Sequence, residues 1–112
     1  MKILLTGNNG YIGTVLTTEL LKKEWGFDGL IITDGMEMRG ITNQAWSGEA
    51  AIRAIEAGSD IILLPLDVER TIESIYNAVL SGRIDEQRIN FSVNKILSSK
   101  KELSLFFILF GN

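Results

Sequence analysis

The 112 residues carry 11 Lys and Arg against 14 Asp and Glu, a net charge of −3, with neither Cys nor His. That composition excludes disulfides, His-dependent nucleophile pairs and Cys- or His-ligated metals, and it offers no basic face to nucleic acid. At 46% hydrophobic residues, the chain is long enough for one domain with a modest core.

Residues 2–6 (Lys-Ile-Leu-Leu-Thr) form a short apolar run ended by Gly7, and Ile12, Val15, Leu16 and Leu20 then recur at helical spacing, which predicts strand, turn and helix. The apolar start is too short for a secretory leader, so a cytoplasmic protein is expected. The turn reads Gly7-Asn8-Asn9-Gly10-Tyr11-Ile12-Gly13. Glycines so spaced let a backbone approach a pyrophosphate at a helix start, or they simply close a tight βα turn that binds nothing.

Gly29 opens the uninterrupted run Leu30-Ile31-Ile32, which Thr33 and Asp34 close. Such a run suits a parallel strand covered on both faces, and acids at the carboxyl ends of such strands are candidates for chemistry. Asp34 serves equally as a cap or turn anchor. It also lies 21 residues past Gly13, the position from which a dinucleotide-binding fold holds a ribose hydroxyl.

Two resemblances attach to these stretches. The first twenty residues resemble the opening of extended short-chain dehydrogenases and nucleotide-sugar epimerases, which implies an NAD(P)-binding module built on Gly7, Gly10 and Gly13. The Tyr-x-x-x-Lys pair of those enzymes has no counterpart, since Val15 and Leu80 stand four residues after Tyr11 and Tyr76. Glu24-Trp25-Gly26-Phe27-Asp28-Gly29-Leu30-Ile31-Ile32-Thr33-Asp34 with Met36-Glu37-Met38 resembles the nucleophile segment of family 3 glycoside hydrolases, particularly the β-N-acetylhexosaminidase branch. That likeness continues through Gly48-Glu49, Ala57-Gly58-Ser59-Asp60, Pro65, Gly82-Arg83-Ile84 and Arg88-Ile89. It implies a retaining β-glycosidase lineage, a carbohydrate substrate, no cofactor, and Asp34 as nucleophile. The family's proton donor resembles a loop Asp-His pair from an earlier part of the barrel, which this His-free chain lacks, so weak activity or none is expected of it alone.

Farther on, residues 35–46 lack a clean period and are expected to form a loop in which Met36, Met38 and Trp46 cover a core end or face a sugar. Ser47 is expected to cap a helix through Ala57, with Gly58 stopping it. Residues 60–64 (Asp-Ile-Ile-Leu-Leu) read as a third buried strand, closed by Pro65. The next helix begins near Asp67 with Val68, Ile72, Ile75 and Val79 on one face and Glu69, Arg70, Glu73 and Asn77 on the other, and Gly82 ends it. Asp85 caps a last helix striped by Ile89, Val93, Ile96 and Leu97, with Lys95, Lys100 and Lys101 expected as its solvated end. Residues 103–110 (Leu-Ser-Leu-Phe-Phe-Ile-Leu-Phe) fall short of the roughly 18 residues of a membrane span. They are expected to dock on the core or on another chain.

These readings combine into an α/β fold of three short parallel strands alternating with helices, either part of a (β/α) barrel or a small Rossmann-like three-layer domain. Residues 1–105 are taken as one domain, with a Rossmann-like opening over 1–20 and a glycosidase-like remainder over 20–105; residues 106–112 are an unassigned apolar tail. The length is too small for a complete barrel of about 250 residues. A three-stranded sheet leaves two edges open, through which, or through the tail, the chain is expected to self-associate.

Overall fold

The computed structural model describes residues 3–5, 22–33, 44–63, 65 and 67–110, with backbone alone at 3–5, 44–47 and 106–110. Strand β1 (Ile3–Leu5) pairs in parallel with β2 (Leu30–Ile32), Leu4 opposite Ile31. Against β2's other edge lies the run that begins at Asp60, joined by a single parallel bridge between Ile32 and Ile61. β2 is therefore central, and Leu30 and Ile31 are buried with only 5% and 0% exposed.

The expected third strand is thus reduced to one bridge among the described residues, and the hydrogen bonds give the reason. The bridge is made by the Ile61 N–H donating to the Ile31 carbonyl and the Thr33 N–H donating to the Ile61 carbonyl, at 3.2 and 3.0 Å. Extending the ladder one step either way would need the Ile31 N–H on the Ser59 carbonyl and the Leu63 N–H on the Thr33 carbonyl. Both donors are intercepted by side chains instead. The Ile31 N–H donates to Asp60 Oδ2 and the Leu63 N–H to Thr33 Oγ1, each at 2.9 Å. Side-chain capture of strand amides competes with the ladder, as such residues do in helices and turns.

Helix α1 (Gln44–Ala57) starts three residues before the expected cap, so Ser47 lies inside it. Its end is as expected. Gly58 adopts φ 116°, its N–H donates to the Ile55 carbonyl, and the Ser59 N–H reaches back to the Ala54 carbonyl, the paired bonds of a Schellman stop. Helix α2 (Val68–Leu80) opens on Asp67, whose Oδ1 accepts the Arg70 N–H at 3.0 Å. It closes on Gly82 at φ 81° with the same bond pair, from Gly82 to Val79 and from Arg83 to Ala78.

The face α2 turns inward differs from the expected one. Thr71 and Ala78 are buried, Ile75 and Val79 half-buried, and Val68 and Ile72 are 56% and 61% exposed. Small residues explain the rotation, because α1 and α2 approach closely: a Cβ on Gly48 would lie 2.4 Å from Ser74 Oγ. Large side chains cannot occupy such a seam. The core is accordingly rich in alanine on the α1 side (Ala50, Ala51, Ala54), with Ile52 and Ile55 meeting Ala78 and Ile84.

Helix α3 (Glu86–Phe110) begins after Asp85, whose Oδ1 accepts the Gln87 N–H at 2.8 Å. It continues unbroken to Phe110, so residues 103–110, expected to dock on the core or on another chain, prolong the helix. Lys100 does not mark a helix end, and Lys95 is not solvated but packed against the sheet. Among the described residues no helix is long and apolar enough to cross a membrane.

Candidate functional site at the carboxyl end of β2

Thr33 directly follows the central strand β2 and is fully buried. Its amide is bound to Ile61 and its hydroxyl oxygen to the Leu63 amide, so the strand leaves the sheet from a residue fixed on both counts. Asp34 comes next in the chain and lies outside the described residues, as do Gly7, Gly10, Gly13, Met36 and Met38. Trp46 is described only as part of the α1 backbone. Among the described residues no group of three or more carboxylates is arranged to hold a metal ion.

The opposite end of the sheet holds a charged cluster that sequence reasoning missed. The Asp60 side chain has no exposure and accepts from the Ile31 N–H (2.9 Å), Ser92 Oγ (2.7 Å) and Lys95 Nζ (3.0 Å). Arg88 donates to Ser92 Oγ and, at 2.8 Å, to the Ser59 carbonyl, the acceptor that the shortened ladder released. Lys22 and Lys95 both stand over the Phe91 ring, 5.7 and 5.2 Å from its centroid. Burial pushes the Asp60 carboxyl up, but the bonds from Ser92, Ile31 and Lys95 and the charge of Lys22 outweigh it and hold the group below its ordinary value. Burial lowers Lys22, opposed by Asp60 and reinforced by Lys95 and Arg88. Burial likewise lowers Arg88 against the pull of Asp60.

This cluster does structural work: it fastens α3 to the amino end of the sheet. One signal could have revealed it. Arg88, Ser92 and Lys95 follow at steps of four and three, which puts three polar groups on one helical face.

A second ionic group lies on the outer side of α1. Arg83 reaches Glu49 at 2.7 Å and Glu56 at 2.8 Å, and Arg53 reaches Glu49 at 2.9 Å. Hydrogen bonds from Arg83 and Arg53 hold Glu49 at about 2. This ties the α2–α3 turn to α1 and leaves these carboxylates occupied.

With the geometry in place, the comparisons with known proteins are specific. The model of the glycosyl hydrolase family 3 N terminal domain matches residues 9–99. The lysosomal beta glucosidase of Dictyostelium discoideum is 36% identical over 93 residues, which are 80% of this chain and 11% of that protein. The beta-N-acetylglucosaminidase/beta-glucosidase of Cellulomonas fimi is 28% identical over 96 residues, 86% of this chain and 17% of that one. The solved glycoside hydrolase family 3 beta-N-acetylglucosaminidase from Paenibacillus sp. str. FPU-7 superposes with a TM-score of 0.73 at 34% identity, covering 88% of this chain and 22% of that one.

The chain therefore spans between about a tenth and a quarter of these proteins. The family match takes in Gly10 and Gly13, and the nucleotide-binding reading of Gly7, Gly10 and Gly13 draws no support from these matches. Matched over most of its length, with a sheet-and-helix arrangement superposing on a solved member, the chain belongs to glycosyl hydrolase family 3.

Proposed function

We propose that the chain is part of a retaining β-glycosidase and contributes the carboxylate of Asp34 as its nucleophile. One observation carries the reading: the residue that follows the buried, doubly anchored Thr33 is an acid, and it stands inside the stretch matched to the family. Reacting groups in parallel α/β sheets collect at the carboxyl ends of strands. The chemistry asks the carboxylate to attack the anomeric carbon while the glycosidic bond breaks and its oxygen takes a proton from a second group about 5 Å away; water then cleaves the glycosyl ester.

Asp60 belongs to the other end of the sheet, and Glu49 and Glu56 are engaged by Arg83. The proton donor is accordingly assigned to a part of the family domain outside these residues, and the chain alone acts weakly or not at all on ordinary glycosides. β-Glucosides and β-N-acetylglucosaminides are the substrate classes, after the names the relatives carry.

Activated fluoro glycosides with a dinitrophenyl leaving group, fluorinated at C2 for glucose and at C5 for N-acetylglucosamine, need no proton donor, so they test the nucleophile in the chain as it stands. Peptide mass mapping is expected to find the glycosyl mass on the peptide containing Asp34 and to lose it in Asp34→Asn. An adduct on another carboxylate, or none with either sugar, would overturn the assignment.

A further inference from the structure

Helix α3 runs on past the body that anchors it. Its first half is held at the sheet by Arg88, Ser92 and Lys95, and Ile89 packs on the core. From Lys100 to Leu105 every side chain is exposed, Leu103 by 43% and Leu105 by 56%. At a rise of about 1.5 Å per residue, residues 100–110 make an overhang about 16 Å long. Its sequence continues one helical seam: from Ile89, alternating steps of four and three land on Val93, Ile96, Lys100, Leu103, Phe107 and Phe110. That spacing suits a helix packed lengthwise on another, and a lone polar residue in such a seam fixes register.

The same molecule carries a surface to receive it. Val68, Ile72, Tyr76 and Leu80 recur every four residues along α2 and are 56–68% exposed. The last three of them help line a groove of about 440 Å³ between α2 and α3, together with Ile75, Val79, Ile89, Glu86 and Asn90. Charge distinguishes the occupant. Glu86 lines the groove and Glu69 and Glu73 are exposed on α2, whereas the overhang opens on Lys100 and Lys101.

We propose that the occupant is the overhang of a second copy: two chains pair about a twofold axis, residues 100–110 of each lying in the α2–α3 groove of the other. Such an isologous contact closes at two. It removes from water both the exposed α2 stripe and Leu103 of the seam, and it brings the two lysines toward the three acids. The pairing goes beyond the glycosidase reading and stands whether or not Asp34 reacts.

Sedimentation equilibrium on the full chain tests it, with far-UV circular dichroism reporting helix content. A monomer–dimer equilibrium is expected. Leu103→Glu on the overhang and Tyr76→Glu in the groove, each a surface change, are expected to weaken it by at least about tenfold, about 1.4 kcal/mol or more, with helix content unchanged. Lys100→Glu with Lys101→Glu is expected to weaken it as well, and adding Glu69→Lys and Glu73→Lys to restore it. A chain that stays monomeric at every concentration, that forms open-ended assemblies, or that dimerises regardless of both apolar-site changes overturns the proposal. A chain that instead binds only a polypeptide carrying earlier units of the family domain overturns it too.

Discussion

Replacing Asp60 with Asn changes one oxygen and one charge, and the structure sets the size of the effect. An Asn can keep its oxygen toward the Ile31 amide and Lys95 and turn its NH2 to Ser92, so the three contacts at 2.7–3.0 Å largely survive. What is lost is the counter-charge to Lys95, whose side chain is only 17% exposed, with Lys22 and Arg88 also turned toward the site. Removing one partner of a buried pair costs about 3–5 kcal/mol, and the residual water at Lys95 reduces this to roughly 2–4 kcal/mol. For a domain of this size that is a drop in Tm of roughly 10 °C or more. Urea and thermal unfolding at neutral pH, followed by circular dichroism, measure it. Adding Lys95→Met is expected to recover part of the loss, because the cation bonded directly to the position is then removed and only Lys22 and Arg88 still face the neutral amide. Since the Asp60 carboxyl is held below its ordinary 3.8, its contribution is complete above that value and fades as pH falls through the folded-state value, so wild type and variant converge in acid. Stability within about 0.5 kcal/mol of wild type at neutral pH would refute the account of the cluster.

Two further expectations follow from the same bonds. Thr33→Val leaves the partly buried Leu63 amide without its acceptor and is expected to cost about 1–2 kcal/mol in urea unfolding, while Thr33→Ser is tolerated; equal stability of Val and wild type would show that the amide finds another partner. Glu49, held at about 2 against an ordinary 4.5, contributes stability that is complete above the ordinary value and is lost as pH falls toward 2. The urea midpoint should thus fall more steeply with acid in wild type than in Glu49→Gln, and parallel slopes would count against the Arg83 bridge.

What could be read in the sequence was whatever rests on neighbours along the chain. Gly58 and Gly82 stop helices, Asp67 and Asp85 start them, and Leu30 to Ile32 form a buried strand because each signal acts within a few residues of its effect. The length of α3 accords with the absence of any Gly or Pro from 86 to 110, although the apolar run of 103–110 carries no helix signal of its own. Apart from the start of α1 and the run of α3 to Phe110, the misreadings concern partners roughly thirty residues apart. Nothing local in Asp60-Ile61-Ile62-Leu63 says that Asp60 takes the Ile31 amide or that Thr33 takes the Leu63 amide. Lys95 looked solvated because its carboxylate lies 35 residues back. The inner face of α2 depended on how near α1 comes, which Gly48 allows and α2's own pattern cannot report.

The two intercepting side chains make the ends of β2 chemically unlike. At the amino end the interceptor is an anion, which brings cations with it, and two of them, Arg88 and Lys95, fasten α3 to the sheet. At the carboxyl end the interceptor is a neutral hydroxyl, which fixes the strand without bringing any charge. A nucleophilic carboxylate placed beyond a charged anchor would have its basicity set by that anchor's counter-ions. Placed beyond Thr33, it receives a rigid mount with no ionic claim from the residue that provides it. With Asp34 as the nucleophile proposed above, stability and reactivity would fall at opposite ends of β2, as they do on the two faces of a (β/α) barrel.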